Sequence, residues 1–252
     1  MPPLLLVLRR SVVTVGVLGG LWLILNQCVP TYLFPTPMDV LIAIRDSGQT
    51  LPKDVAITFL ETFFGLVLAT AFSLTLALAF YFSWPIEDVL MPYAVALKSI
   101  PVVAMAPLLV IWTGNGIVGK IVLASIVSFF PLLIGFRDGL HSKPIELDHV
   151  AQVWAKSKLR VLLNIDLPLS IPSALSALKI AAPLSLVGAV VAEFSGANSG
   201  LGHVVIIAAY RADVALLFAG VIVVSLLGIL MFQVAVAAEV ATLKAMRMSR
   251  AD

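Results

Sequence analysis

Three ionisable side chains interrupt apolar runs of this sequence and are its first candidates for chemistry. They are Glu61 in the run TFLETFFG, Lys98 and Glu193. An ionisable residue inside a membrane span costs about 2.5–3.5 kcal/mol on insertion scales and usually faces protein or water. Each therefore has two open interpretations. It lines a polar path or gate through the membrane, or it forms an ion pair or hydrogen bond that fixes helix packing. Glu193 lies near the end of its run, where a plain interfacial position is the alternative to a gate.

Prolines and glycines mark two further candidate positions. Pro92, Pro101 and Pro107 fall inside one apolar run, near 89–112, and we expect them to break it internally. Broken helices can line a cavity with their freed backbone groups, although prolines also kink membrane helices that line nothing. The glycine-rich segment 195–202 follows an apolar helical run rather than a strand, so it predicts a tight turn and not a dinucleotide-binding loop.

Motifs for hydrolytic chemistry are absent from the sequence. It contains no GxxxxGK[ST] phosphate loop and no HExxH, so we expect neither ATP hydrolysis nor zinc-protease chemistry in this chain. The three histidines are too dispersed for a metal-ligand motif, and the single cysteine, Cys28, excludes an internal disulfide. A net charge of +2 gives no support to nucleic-acid binding. The sequence predicts a non-enzyme without a cofactor.

Composition indicates which elements must position these residues. Of 252 residues, 61% are hydrophobic and 12% are charged, with a mean hydropathy of +1.09, whereas soluble domains carry roughly 25% charged residues. A membrane-spanning helix needs about 20 apolar residues. We therefore predict an all-α integral membrane protein with about six spans, near residues 12–27, 56–82, 89–112, 117–136, 171–194 and 214–240.

The whole chain, 1–252, is expected to form a single transmembrane domain. Residues 1–55 would supply the first span and an interfacial segment, and residues 56–240 a five-helix core. The N-terminal apolar run resembles a signal peptide, but no small-residue cleavage pattern follows it, so we interpret it as a retained span.

Basic residues in the connections predict the orientation. With both termini in the cytoplasm, ten lysines and arginines lie inside and four (Arg45, Lys53, Lys120 and Arg211) lie outside. The polar segment 137–170 is then a cytoplasmic loop. Its apolar residues recur at roughly helical intervals, which predicts an amphipathic helix. Such a helix could lie on the membrane surface or dock into a groove on a soluble partner.

At this loop the chain resembles a known family. The run ELDHVAQVWAKSKLRVLLNIDLPLSIPSALSALKIA is similar to the "EAA" loop of binding-protein-dependent ABC importer permeases, and its Ile165-Asp166-Leu167-Pro168 matches the end of the family pattern. The front half departs from that pattern: His149 stands where glutamate is expected and Ala155 replaces the glycine. FPTPMDVLIAI, KSIPVVAMAPLLVIWTGNG, SFFPLLIGFRDGL and LVGAVVAEFSGANSGLGHVVIIAA also resemble, in order, permeases of the nitrate, sulfonate, taurine and thiamine-pyrimidine-precursor class.

The resemblance implies a type I ABC importer permease fold with cytoplasmic coupling helices. It implies two cytoplasmic ATPase subunits, a second permease copy in a homodimer, an extracytoplasmic substrate-binding protein, and a bacterial inner-membrane location. The expected contacts to the ATPase are Glu146, Asp148, His149, Ala151, Trp154, Ala155, Lys156 and Ser157. The expected path or gate residues are Glu61, Lys98, Pro101 and Glu193.

Two other function classes and the substrate stay open at this point. An ion-coupled secondary transporter or channel would favour several buried acids and inverted repeats, and an intramembrane enzyme would need a recognisable catalytic pairing. The substrate could be an oxyanion such as nitrate, a sulfonate, taurine or bicarbonate, for which Lys98 would suit a positive path. It could also be a pyrimidine precursor or riboflavin.

Overall fold

The structure, a computed structural model, describes residues 16, 17, 19–144 and 157–248. Within these ranges every regular element is a helix. After a first helix, α1, over residues 19–28, the elements are α2 Pro37–Asp46, α3 Leu51–Phe82, α4 Trp84–Ser99, α5 Val102–Thr113, α6 Ile117–Leu140, α7 Lys158–Val161, a π-helical turn Leu162–Asp166, α8 Leu167–Glu193, α9 Leu201–Tyr210 and α10 Val214–Met248.

Four stretches of the described chain are long and apolar enough to cross a membrane. They are α3, α6, the continuous helix from α7 through α8, and α10. The pair α4 and α5 meets the same test jointly but bends by 97° at its break, so it gives a fifth, broken span. Of the predicted first span, near 12–27, residues 16, 17 and 19–27 are described and are helical, and the rest lie outside the described ranges. The predicted all-α membrane fold is confirmed.

Helices α3, α6 and α8 form the core of the bundle. Helices α3 and α6 run in the same direction, since Gly65 packs on Ala124 and Ser73 bonds the Phe129 carbonyl at 2.9 Å. Helix α8 runs the opposite way. A Cβ at Gly188 would lie only 2.7 Å from Ala124 Cα, so glycine is what lets these two backbones approach, as is common where membrane helices pack without a hydrophobic driving force.

The bundle therefore has two distinct ends. At the loop end, α3 and α6 finish, α4 begins, and the chain enters α7 and α8. At the opposite end, α3 and α6 begin and α8 finishes beside α9. Helix α2 lies near this opposite end and is capped by Thr36, whose hydroxyl accepts from Asp39 N while the Asp39 carboxylate accepts from Thr36. The hydrogen bonds from Thr36 lower the pKa of the Asp39 carboxyl.

Several local predictions were wrong. Pro92 and Pro107 lie within α4 and α5 without ending either helix, and the break occurs at Pro101, the N-cap of α5. The predicted glycine-rich turn, 195–202, ends earlier than expected, since Leu201 and Gly202 already belong to helix α9. Lys120, counted as an outer-loop residue, is buried near the start of α6.

Candidate functional site

A cavity of about 190 Å³ lies at the break between α4 and α5. Lys98 lines it from the last turn of α4, and Ile100 and Val102 flank Pro101 at its edge. Phe130 and Leu184 close its far side, each near the middle of its helix, so the cavity lies at mid-depth in the bundle. The break arises because Pro101 adopts an extended conformation (φ −60°, ψ 120°) and has no N–H to continue α4.

The chemistry of this cavity is one cation within an apolar lining. Lys98 Nζ lies 4.7 Å from the centroid of the Phe130 ring, a cation–π distance. Its position in the last turn of α4 also suits a cation, because the carbonyl end of a helix carries partial negative charge. The cavity can therefore offer a solute one positive charge, one aromatic face and apolar walls.

Glu61 and Glu193 meet elsewhere, at the opposite end of the bundle, inside the subunit. Their exposed fractions are 1% and 0%. Lys120 Nζ donates to Glu61 Oε1 at 2.9 Å, and the Thr58 hydroxyl donates to Glu193 Oε1 at 2.6 Å. With Asp54 these residues form what we call the α9 network: Asp54, Thr58, Glu61, Lys120 and Glu193. In the described chain, Glu61 and Glu193 do not line the Lys98 cavity.

The α9 network caps the N-terminus of α9. The first backbone N–H groups of a helix have no acceptor within the helix. Here three of these N–H groups each donate to a side-chain oxygen of the network. Gly200 N donates to Asp54 Oδ1 at 2.8 Å, Leu201 N donates to Thr58 Oγ1 at 2.8 Å, and Gly202 N donates to Glu193 Oε2. Carboxylates are also favoured at this positive end of the helix. The network thereby joins α9 to both α3 and α8.

Glycine at position 200 follows from the same geometry. Its φ of +107° lies in the region that L side chains rarely adopt, and a Cβ there would collide with the Glu193 carboxylate. The glycine-rich turn that the sequence predicted is therefore confirmed, and its glycines allow the backbone to approach the Glu193 side chain.

A second set of polar contacts occupies the loop end, and we call it the Asp166 network: Tyr81, Lys143, Lys158 and Asp166. The Tyr81 hydroxyl donates to Asp166 Oδ2 at 2.6 Å, and Lys143 Nζ lies 3.6 Å from Asp166 Oδ1. Lys158 Nζ donates to the Phe82 carbonyl at 3.3 Å. The network connects the last turn of α3 with both flanks of the 141–157 connection.

Most of the residues expected to contact an ATPase lie outside the described residues: Glu146, Asp148, His149, Ala151, Trp154, Ala155 and Lys156. Ser157 is described. It is the N-cap of α7, and its hydroxyl accepts a hydrogen bond from Arg160 N at 3.4 Å. Among the described residues, no cluster of three His, Cys, Asp or Glu side chains could hold a metal ion.

The sequence reasoning missed Asp54, Thr58, Lys120 and Asp166. Lys120 carried a detectable signal, because a lysine four residues into an apolar span requires a counter-charge. Asp166 carried no comparable signal, because it was assigned to the polar segment 137–170, where a charged residue is expected. The pairing of Glu61 with Lys120 corresponds to the ion-pair interpretation left open for Glu61.

Comparison with known proteins adds an independent finding. Residues 62–239 match the family model described as "Binding-protein-dependent transport system inner membrane component". The chain is 37% identical over 218 residues to a probable ABC transporter permease protein of Haemophilus influenzae, covering 86% of this chain and 89% of that protein. It is 32% identical over 206 residues to the formylaminopyrimidine transport permease ThiX of Halalkalibacterium halodurans, covering 80% and 81%.

A solved structure resembles the fold. A chain of the MetNI methionine ABC transporter, crystallised in inward-facing conformations, superposes with a TM-score of 0.69 at 15% identity, covering 78% of this chain and 97% of that one. Similarity at this level of identity concerns the fold alone.

Proposed function

Because the chain belongs to the family of binding-protein-dependent transport inner membrane components, we propose that it is the membrane subunit of an ATP-driven importer that works by alternating access. The observation that carries this proposal is the extent of the family match, residues 62–239. That range includes both the Lys98 cavity and the 141–157 connection. It therefore contains a polar break at mid-depth for a solute and a polar connection for a soluble partner.

In this proposal the loop end faces the cytoplasm and the connection between α6 and α7 contacts an ATPase chain. Glu146, Asp148, His149, Ala151, Trp154, Ala155, Lys156 and Ser157 are the proposed contacts. Two ATPase subunits would act on two copies of this chain, and a binding protein would deliver the solute at the opposite end. The excess of basic residues in connections assigned to the loop end supports this orientation.

Lys98 and Pro101 are the proposed path residues. The break at Pro101 frees backbone groups next to the cavity, an arrangement that transporters use where helices line a solute site. We propose a different role for Glu61 and Glu193. Being buried within one subunit, they would fix α9 at the outer end of the path, so that α3, α8 and α9 move together when the path opens or closes.

The test is co-purification of this chain with the ATPase encoded by the neighbouring gene, in nanodiscs. A double variant, Ala151→Glu with Trp154→Asp, places two negative charges in the proposed contact. We expect wild type to retain the ATPase and the variant to lose it at unchanged yield of folded permease.

A matched control carries the same kinds of substitution at the opposite end. Ala209→Glu with Tyr210→Asp alters two exposed residues at the end of α9, and this control should retain the ATPase. If wild type binds no ATPase, the importer proposal fails and ion-coupled transport becomes the hypothesis to test. If both double variants lose the ATPase equally, the contact does not lie in the loop.

A further inference from the structure

The two flanks of the connection between α6 and α7 are linked to the last turn of α3 by different routes, one through Asp166 and one directly. On the α6 side, Lys143 Nζ lies 3.6 Å from Asp166 Oδ1. On the α7 side, Lys158 Nζ bonds the carbonyl of Phe82 at 3.3 Å and lies 5.1 Å from the centroid of the Tyr81 ring. A cation is favoured at this carbonyl end of a helix. A displacement of the connection therefore acts on α3 through at least two contacts.

Asp166 lies at the centre of these contacts. It is 2% exposed, and its Oδ2 accepts the 2.6 Å hydrogen bond from Tyr81. A hydrogen bond to an ionised carboxylate is among the stronger ones in proteins. Because Asp166 is bonded to α3 on one oxygen and faces Lys143 on the other, it links the span and the connection directly.

The helix that carries Asp166 is locally irregular. Asp166 ends the π-helical turn Leu162–Asp166, which lies within the continuous helical stretch from Lys158 to Phe194. π-helical turns are rare and frequently occur at functional sites. Since α7, the π turn and α8 are continuous, movement at Ser157 reaches Asp166 without passing through a flexible segment.

We propose that Asp166 is a positioning residue that carries movement of the 141–157 connection into α3 through its hydrogen bond to Tyr81. This inference rests on the proposed function, in which an ATPase moves that connection. Coupling between distant sites requires an element that both sites can shift, and the Asp166 network supplies one between the connection and the span. A purely structural role would hold α3 and α8 together but would not change how α3 responds to ATP.

The experiment follows the far end of α3 in the complete complex with its ATPase, in nanodiscs. Cys28 is replaced by serine, and a bimane fluorophore is attached through Leu60→Cys, a position 44% exposed and distant from Tyr81 along α3. The probe is Mg²⁺–ATP with orthovanadate, which needs no knowledge of the solute. Wild type should show a fluorescence change when the probe is added.

Two variants interrupt the link in different ways. Asp166→Asn removes the charge at similar volume, and Tyr81→Phe removes the donor and leaves the carboxylate in place. In each variant the fluorescence change, normalised to the amount of bound ATPase, should be about fivefold smaller than in wild type. A reduction of this size lies within the range over which single residues alter the coupling between two sites. The double variant should lose little more than either single variant, since both act on the same hydrogen bond.

Lys179→Gln is the matched control. It breaks the 2.7 Å ion pair with Glu239, which also joins α8 to another span but does not involve the connection. The control should keep the wild-type response.

Three results would decide the matter. If Asp166→Asn and Tyr81→Phe both respond as wild type, the inference is wrong and the importer proposal stands. If all three variants lose the response in proportion to lost folded complex, the contact is only structural and the inference is again wrong. If wild type binds no ATPase or shows no response to the probe, the proposed function itself fails. Should Asp166→Asn yield no folded protein, the Tyr81→Phe result decides.

Discussion

The two polar networks of this chain use different kinds of hydrogen-bond donor, although each joins separate helices of the bundle. In the α9 network, the carboxylates of Glu61 and Glu193 are almost fully buried, and backbone N–H groups of residues 200–202 supply three of the donors. In the Asp166 network the donors are side chains: the Tyr81 hydroxyl and two lysines, one of which, Lys158, is exposed.

This difference has a mechanical consequence. A backbone donor cannot shift without moving the helix to which it belongs, whereas a lysine on a four-carbon stem can follow a moving partner. The α9 network therefore fixes α9 relative to α3 and α8. In the Asp166 network the short Tyr81–Asp166 hydrogen bond links α3 to the π-helical turn directly, and the two lysines add longer contacts that tolerate small shifts. The comparison therefore sets contacts made through the backbone at one end of the bundle against contacts made between side chains at the other.

The largest expected effect is that of Lys120→Met. It leaves the Glu61 carboxylate buried without its cation, and breaking a buried ion pair by removing one partner costs about 3–5 kcal/mol. The free energy of unfolding, measured by titration from mild detergent into SDS, should fall by that amount.

The double variant Lys120→Met with Glu61→Gln is the control for this prediction. It removes the uncompensated charge and should recover more than half of the loss. If single and double variants are equally unstable, the Glu61–Lys120 ion pair does not stabilise this end of the bundle.

Gly200→Ala should have the next largest effect. The positive φ of residue 200 strains any L side chain by about 1–3 kcal/mol, and the added Cβ also displaces the Glu193 carboxylate. The thermal midpoint in detergent should fall clearly. Gly116→Ala is the matched control, because a Cβ there meets nothing within 4 Å. Equal midpoints for the two variants would mean that the turn at residue 200 is not tightly packed.

Tyr81→Phe tests the hydrogen bond between Tyr81 and Asp166 at the loop end, with the same measurement of the free energy of unfolding. Removing the Tyr81 hydroxyl should lower the free energy of unfolding by about 1.5 kcal/mol, the lower end of the range for a hydrogen bond to a charged group. The loss should stay below that of Lys120→Met, because Lys143 still faces the Asp166 carboxylate in this variant. A loss as large as that of Lys120→Met would contradict the contrast between the two ends.

The smallest expected effect is that of Lys179→Gln. Its ion pair with Glu239 has side chains 25% and 16% exposed, and polar contacts between membrane helices contribute about 0.6 kcal/mol on average. The unfolding titration should shift only slightly. A shift larger than that of Tyr81→Phe would mean that partial exposure is a poor guide to the strength of polar contacts in this bundle.

The membrane fold could be predicted from the sequence because apolar length is a local property. Each predicted span from 56 onward has a helical counterpart, with α3, α6, α8 and α10 extending past the predicted limits. The α4–α5 break was harder to place. Several prolines in one apolar run each have the same local effect, so the sequence does not show that the chain bends at Pro101 and not at Pro92 or Pro107. The packing of α5 against α6 and α8 is a tertiary arrangement that the order of residues does not contain.

The candidate site residues could also be predicted only in part from the sequence. The sequence identified Glu61, Lys98 and Glu193 as unusual because charge within an apolar run is costly wherever the run is placed. It also identified the family through motifs in fixed order, which the family match confirms.

The sequence did not show which side chains form pairs in the folded chain. Glu61 and Lys120 are 59 residues apart and Tyr81 and Asp166 are 85 apart. Only the parallel arrangement of α3 and α6, and the antiparallel return of α8, bring these side chains together. A hydrogen bond depends on distance in space, which the order of residues does not determine.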